Sequence, residues 1–311
     1  MSTPPTLELP PCASAYRLAT DRGEFAVHDA RPEQWRGTAL LVPGFTGSKE
    51  DFIGLLAPLA ASGFRVVAVD GRGQFESPGP REESAYARRE LAQDVLAQTR
   101  ALTAAGGPES GPVHLLGHSL GGLVTRSAVL ADPAPFASLT LMSSGPAAVA
   151  PAQCERLRML VTALGGMDMA GVWRAMRELE PLETPRDASA AAFQDFLRQR
   201  WMATVPEQLI ATAGQLLTEP DRVAELAGLG LPMHVISGEV DYAWPVPTMD
   251  AMAARLRAHR TVVPDAEHSP NAEQPAVTAA ALAGFWLRTP ATPGDTSRVA
   301  TRDTPAVPAE D

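Results

Sequence analysis

The chain has 311 residues, enough to bury a large core and more than one usual domain needs, so a single α/β domain carrying an insertion is expected. Its 26 basic and 36 acidic side chains leave a net charge of −10 spread along the sequence, which argues against nucleic acid or an anionic membrane surface as partner. No apolar run approaches the ~20 residues of a membrane span, no secretion signal opens the chain, and the isolated Cys12 and Cys154 suit free thiols in a reducing compartment, so a soluble, cytoplasmic protein is expected.

Residues 1–14, with four prolines, read as a loose lead-in. Residues 16–19 and 24–28 flank Asp21-Arg22-Gly23, turn chemistry that predicts a hairpin. The first convincing strand, 39–42, runs into Pro43-Gly44-Phe45-Thr46-Gly47. Ser48 with Asp51 three residues on marks a helix start, and Phe52, Leu55, Leu56 and Leu59 give that helix one apolar face. Pro58 within it should bend the helix or force a restart. A strand over 66–69 leads into Asp70-Gly71-Arg72-Gly73. A long helix over 83–102 follows, closed by Gly106-Gly107-Pro108.

Val113, Leu115 and Leu116 form a short apolar run typical of a buried parallel strand. Gly117-His118-Ser119-Leu120-Gly121-Gly122 follows, and Leu123, Val124, Ala128 and Val129 then repeat at helical spacing. A strand, a glycine-flanked serine and a helix together describe a nucleophile elbow. A strand at 139–142 ends in Ser143-Ser144, and the strand–helix rhythm then stops. Residues 147–229 hold only helical stretches and predict a lid, whose apolar side chains include Trp173, Met176 and Trp201 as candidates to face the cleft. Strands resume at 233–236 and 260–263, a last helix covers 276–287, and residues 289–311 have too few apolar groups to fold. Residues 15–146 and 230–288 are thus the expected core, a mostly parallel sheet covered by helices on both faces.

A serine hydroxyl needs a base to take its proton and an acid to orient that base. Of the six histidines, His114 and His234 lie within strands, His28 near the edge hairpin and His259 on the helix before the last strand; His118 cannot curl back onto the neighbouring hydroxyl. His268 lies in a loop past the last strand, at the sheet edge where Ser119 sits, and is the candidate base. Asp241, in the loop after the preceding strand, is the candidate acid, with Glu239 its rival; the position after the 139–142 strand is closed to an acid because it holds Ser143 and Ser144. The backbone N–H groups of Leu120 and Phe45 are the candidate oxyanion donors. No cofactor or metal is expected, since no metal cluster appears and Gly71-Arg72-Gly73 lacks the spacing of a phosphate loop.

With these residues placed, the chain resembles the α/β-hydrolase superfamily from about residue 15 to 288. Gly117 to Gly122 matches a G-H-S-x-G-G elbow. Asp70-Gly71-Arg72-Gly73 with Ser77 is similar to the family's D-x-R-G-x-G-x-S loop, from which Gln74 and Phe75 depart. Gly238-Glu239-Val240-Asp241 with Pro245 resembles its acid loop, which favours Asp241 over Glu239. His268 with Glu273 and Pro275 resembles its histidine ending. The resemblance implies the α/β-hydrolase fold, with residues 147–229 as the variable cap, and a small-molecule ester as substrate. Ser119 excludes the members that use an aspartate nucleophile, the haloalkane dehalogenases and epoxide hydrolases. A serine ester hydrolase leads. Acyltransferase, thioesterase, carbon–carbon hydrolase and perhydrolase are the alternatives, with a non-enzymatic ligand sensor behind them.

Overall fold

The computed structural model describes residues 3–104, 111–179 and 188–289. Eight strands among these residues form one sheet: β1 (Ala13–Thr20), β2 (Gly23–Ala30), β3 (Gly37–Val42), β4 (Phe64–Val69), β5 (Val113–His118), β6 (Phe136–Met142), β7 (Met233–Gly238) and β8 (His259–Val263). Their spatial order is β1-β2-β4-β3-β5-β6-β7-β8. β1 and β2 form the expected hairpin and pair antiparallel, β2 pairs antiparallel with β4, and every other pairing is parallel.

The central strands are apolar on both sides because both faces are covered. Their residues alternate between two cores, as a strand's period of two requires. Leu40, Val67, Val69 and Leu115 point to one core, which holds helices α2 (Arg88–Thr103), α3 (Leu120–Ala131) and α9 (Val246–Leu256). Leu41, Val66, Ala68 and Leu116 point to the other, filled from α1 (Ile53–Ala61) and α11 (Pro275–Arg288), the latter preceded by the short α10 (Pro270–Glu273).

Local details differ from the sequence reading. The lead-in ends two residues early, since β1 starts at Ala13. The helix after Ser48 begins as a 3₁₀ turn, Lys49–Phe52, and passes into α1, which continues through Pro58. The missing N–H leaves only the Gly54 carbonyl without its partner, and the helix ends three residues later, so no restart occurs there. The expected single helix over 83–102 is a 3₁₀ turn, Glu83–Tyr86, then α2, separated by an extended Ala87 with ψ 143°. His259 is the first residue of β8. Gly106-Gly107-Pro108 and the tail from 290 onward lie outside the described residues.

Between β6 and β7 the described residues hold only helices: α4 (Pro151–Gly166), α5 (Met169–Leu179), α6 (Ala188–Ala203), α7 (Pro206–Thr218) and α8 (Val223–Ala227). Leu164, Val172, Trp173, Leu197, Trp201 and Leu209 give this insertion a small core of its own. Buried polar contacts seat it on the sheet domain. Arg200, fully buried, pairs with Asp51 at 2.7 Å. Arg126 on α3 pairs with Glu219, and Gln215 donates to the Tyr86 carbonyl at 2.6 Å.

Candidate active site

The parallel strands all deliver their following loops to the carboxyl edge of the sheet, and there the structure brings together three residues from separate loops. Ser119 follows β5 directly and caps α3 with φ 54° and ψ −119°, a left-handed conformation that a residue with a Cβ adopts only under strain. The turn is too tight for side chains beside it. A Cβ on Gly117 would lie 2.3 Å from the Gly121 oxygen, and one on Gly121 would lie 2.3 Å from the Val42 oxygen. The glycines are there for close backbone approach.

His268 Nε2 lies 3.0 Å from Ser119 Oγ, and Nδ1 lies 2.8 Å from Asp241 Oδ2. A carboxylate only accepts, so Nδ1 carries the hydrogen and Nε2 faces the serine hydroxyl with its lone pair. The other Asp241 oxygen accepts the Ala243 and Trp244 N–H groups at 2.8 and 3.0 Å, which fixes the carboxylate. All three residues are buried. Glu239, the rival acid, is exposed and accepts the Asp265 N–H at 3.1 Å instead. Glu239→Gln is therefore expected to change kcat/KM by less than about threefold, an effect of surface-polar size. A loss of orders of magnitude in a steady-state assay would move the acid to Glu239.

Of the two candidate oxyanion donors, Leu120 is the first residue of α3, where a helix N–H has no partner within the helix. Phe45 lies in the loop after β3 and lines the same cavity as Ser119. That loop is held from several sides. Gln74 donates to the Gly44 carbonyl at 2.9 Å, while its side-chain oxygen accepts the Gly71 N–H at 3.0 Å. The residue that departs from the family's loop pattern thus braces the loop that carries Phe45. Behind it, buried Lys49 reaches Asp70 at 3.0 Å, Glu50 at 2.8 Å and Glu76 at 2.7 Å, and its N–H donates to Asp70 at 2.7 Å. Burial alone would lower the lysine pKa, but Asp70 and Glu50 hold it above its ordinary value, so it stays charged. Asn271, three residues past His268, donates to the Asp51 carbonyl at 2.7 Å.

His118 bonds to the backbone of His268 and not to the Ser119 hydroxyl. Its Nε2 donates to the His268 carbonyl at 2.8 Å, and burial, helped by His268, pushes its pKa down to about 4, so it remains a neutral donor. Tyr242 packs against the His268 ring, ring centroids 4.6 Å apart. Neither contact was foreseen; the only signal for Tyr242 is its place directly after Asp241.

A cavity of about 630 Å³ opens over Ser119. Met176 and Trp201 line it, and Trp201 is fixed by donating its indole N–H to the Met169 carbonyl at 2.7 Å. Trp173 is a correction. It packs in the core of the insertion, because the face of α5 that lines the cavity is Val172, Ala175, Met176 and Leu179, and Trp173 is turned ~100° from Val172. Among the described residues no three His, Cys, Asp or Glu side chains gather as a metal site needs, and no helix is long and apolar enough to cross a membrane.

A loop-borne serine, histidine and aspartate at the carboxyl edge of a mostly parallel sheet define an α/β-hydrolase architecture. The sequence profile of the alpha/beta hydrolase family matches residues 39–281, and the chain belongs to that family. Among curated relatives, a pimeloyl-[acyl-carrier protein] methyl ester esterase of Aeromonas hydrophila is 31% identical over 226 residues, 71% of this chain and 84% of that one. Solved structures share the fold. An esterase from Thermogutta terrifontis superposes with a TM-score of 0.68 at 24% identity, covering 89% of this chain and 98% of that one. The enol-lactonase of Burkholderia xenovorans superposes with 0.69 at 18% identity, covering 88% and 100%.

Proposed function

We propose that this chain is a serine hydrolase that cleaves carboxylic esters of small to medium apolar substrates through an acyl-enzyme. The observation that carries this reading is the continuous hydrogen-bonded line from Asp241 through His268 to Ser119, opening on a cavity of about 630 Å³. His268 takes the Ser119 proton as Oγ attacks the acyl carbon. The Phe45 and Leu120 N–H groups hold the oxyanion, each contributing about 3 kcal/mol to the transition state. His268 then protonates the departing alcohol, and a water activated by the same imidazole releases the acid. The helical insertion acts as the lid, and the esterase among the relatives supports the substrate class. The free Cys12 and Cys154 support the cytoplasm as the place of action.

The test is a panel of chromophoric esters with acyl chains of two to ten carbons, beside the matching amides and thioesters. A largely apolar cavity of this volume suits a medium chain. Each buried methylene is expected to add up to about 0.8 kcal/mol to kcat/KM until the cavity fills. A flat or falling line from the start would remove the apolar acyl pocket, and faster turnover of amides or thioesters would reassign the bond that is cleaved.

A further inference from the structure

The cavity changes character along its length. Helix α4 lays one stripe against it, Gln153, Arg156, Leu157, Leu160 and Ala163, at the spacing of a single helical face. The stripe starts with an amide and a guanidinium and is apolar from there on. Its polar end is the end near His268. The Ala150 N–H, at the head of α4, donates to the Ala243 carbonyl at 2.8 Å. Arg156, solvent-exposed on α4, lines the same cavity as Tyr242. Tyr242 in turn packs on His268. Among the described residues that line the cavity, Arg156 is the only arginine or lysine and none is an aspartate or glutamate; no described carboxylate pairs with it. In a chain of net charge −10, the recognition surface therefore carries the opposite sign.

Chemistry sets the orientation of the substrate. In the ester cleavage proposed above, on which this inference rests, His268 passes its proton to the leaving oxygen, so the alcohol half lies on the His268 side. The groups beside Tyr242 flank the alcohol, and the apolar end of α4 is left for the acyl chain. We propose that the preferred substrate joins an apolar acyl chain to an alcohol that bears a carboxylate, with Arg156 holding that carboxylate and Gln153 and Tyr242 donating beside it. The planar guanidinium fork matches a carboxylate, and one positive charge matches a monoanion. Ser119 Oγ bonds to the acyl carbon, the ester C–O bond breaks, and the serine proton reaches the leaving oxygen through His268. A hydroxy acid departs, and water then releases the acyl acid.

The experiment compares O-hexanoyl glycolate with O-hexanoyl glycolamide, esters of matched size that differ by one charge. At neutral pH kcat/KM is expected to favour the glycolate about tenfold or more, mainly through KM, as a charge-assisted hydrogen bond would give. Arg156→Ala should bring the two substrates within about twofold, and Arg156→Lys should fall between, as a point charge without the fork. Equal turnover of both by the parent protein, or a preference that survives Arg156→Ala, overturns the proposal. Binding of the same pair to Ser119→Ala protein, read by the fluorescence of Trp201 in the cavity wall, separates the two readings. Selective binding of the glycolate with no turnover by the parent would retire the ester-cleavage reaction and keep the charge selection; unselective binding would retire the charge selection.

Discussion

Ser119→Ala is expected to lower turnover of the best ester by about 10⁴-fold or more while leaving the urea midpoint of unfolding in place. The two expectations have separate causes. Removing Oγ removes the atom that would bond to the acyl carbon and leaves His268 Nε2 without the hydroxyl now 3.0 Å away. Alanine keeps the Cβ, so the strained backbone at φ 54° gains and loses nothing. Asp241→Asn should also cost orders of magnitude, because an amide in place of the carboxylate turns the imidazole to the wrong tautomer. In the double variant the losses should not add, since both residues serve one line of proton transfer. Steady-state kinetics of the three variants check this, and residual Ser119→Ala activity within tenfold of the parent would reject the nucleophile.

Acid should unfold this protein through its histidines. Four buried histidines outside the Ser119–His268–Asp241 line carry this effect: His28, His114, His118 and His234. Burial pushes the first three from the ordinary 6.5 down to about 4, and His234 down to about 3, aided by His259. Each folded-state pKa is depressed, so between pH 6.5 and 4 the unfolded chain holds a proton that the native one does not, and stability falls as pH falls. At pH 5 the difference is roughly 2 kcal/mol per histidine, or roughly 8 kcal/mol for the four. That is comparable with the whole stability of a typical domain. Urea midpoints should be level above pH 7 and drop steeply below 6.5. His114, which accepts or donates one bond to Ser138 at 2.8 Å and stacks on Trp286, is the cleanest probe. His114→Asn should flatten the slope by about one proton in four. A midpoint unchanged from pH 7 to 5 would show that these imidazoles titrate normally.

Much of the fold was legible because parallel topology is simple to read. Apolar runs of strand length separated by helical patterns order the sheet, and every loop that leaves a strand's carboxyl end must arrive at one edge. Ser119, Asp241 and His268 sit in such loops, so their meeting follows from chain order without any knowledge of contacts. What failed depends on angle or on partners distant in sequence. Trp173 was a candidate for the cleft on composition alone, and one residue of helical rotation placed it in the insertion's own core. Gln74 looked like a lapse in a motif; only the folded chain sets its amide against Gly44, thirty residues earlier. Arg200 gave no sign that it would reach across 149 residues to Asp51. The guanidinium facing the cavity was one of many in an acidic chain until α4 gave it a direction.

The helical excursion leaves from β6 and returns into β7, and these strands are hydrogen-bonded neighbours, with Leu139 opposite Met233. Topologically it is a cassette. Its length and composition can drift without shifting one ladder register, provided the handholds at Asp51, Tyr86 and Arg126 still find a grip. Ser119, Asp241 and His268 all lie outside it. For the reaction proposed above, a cassette transplanted from a relative is expected to change substrate preference while leaving the Ser119–His268–Asp241 line in place.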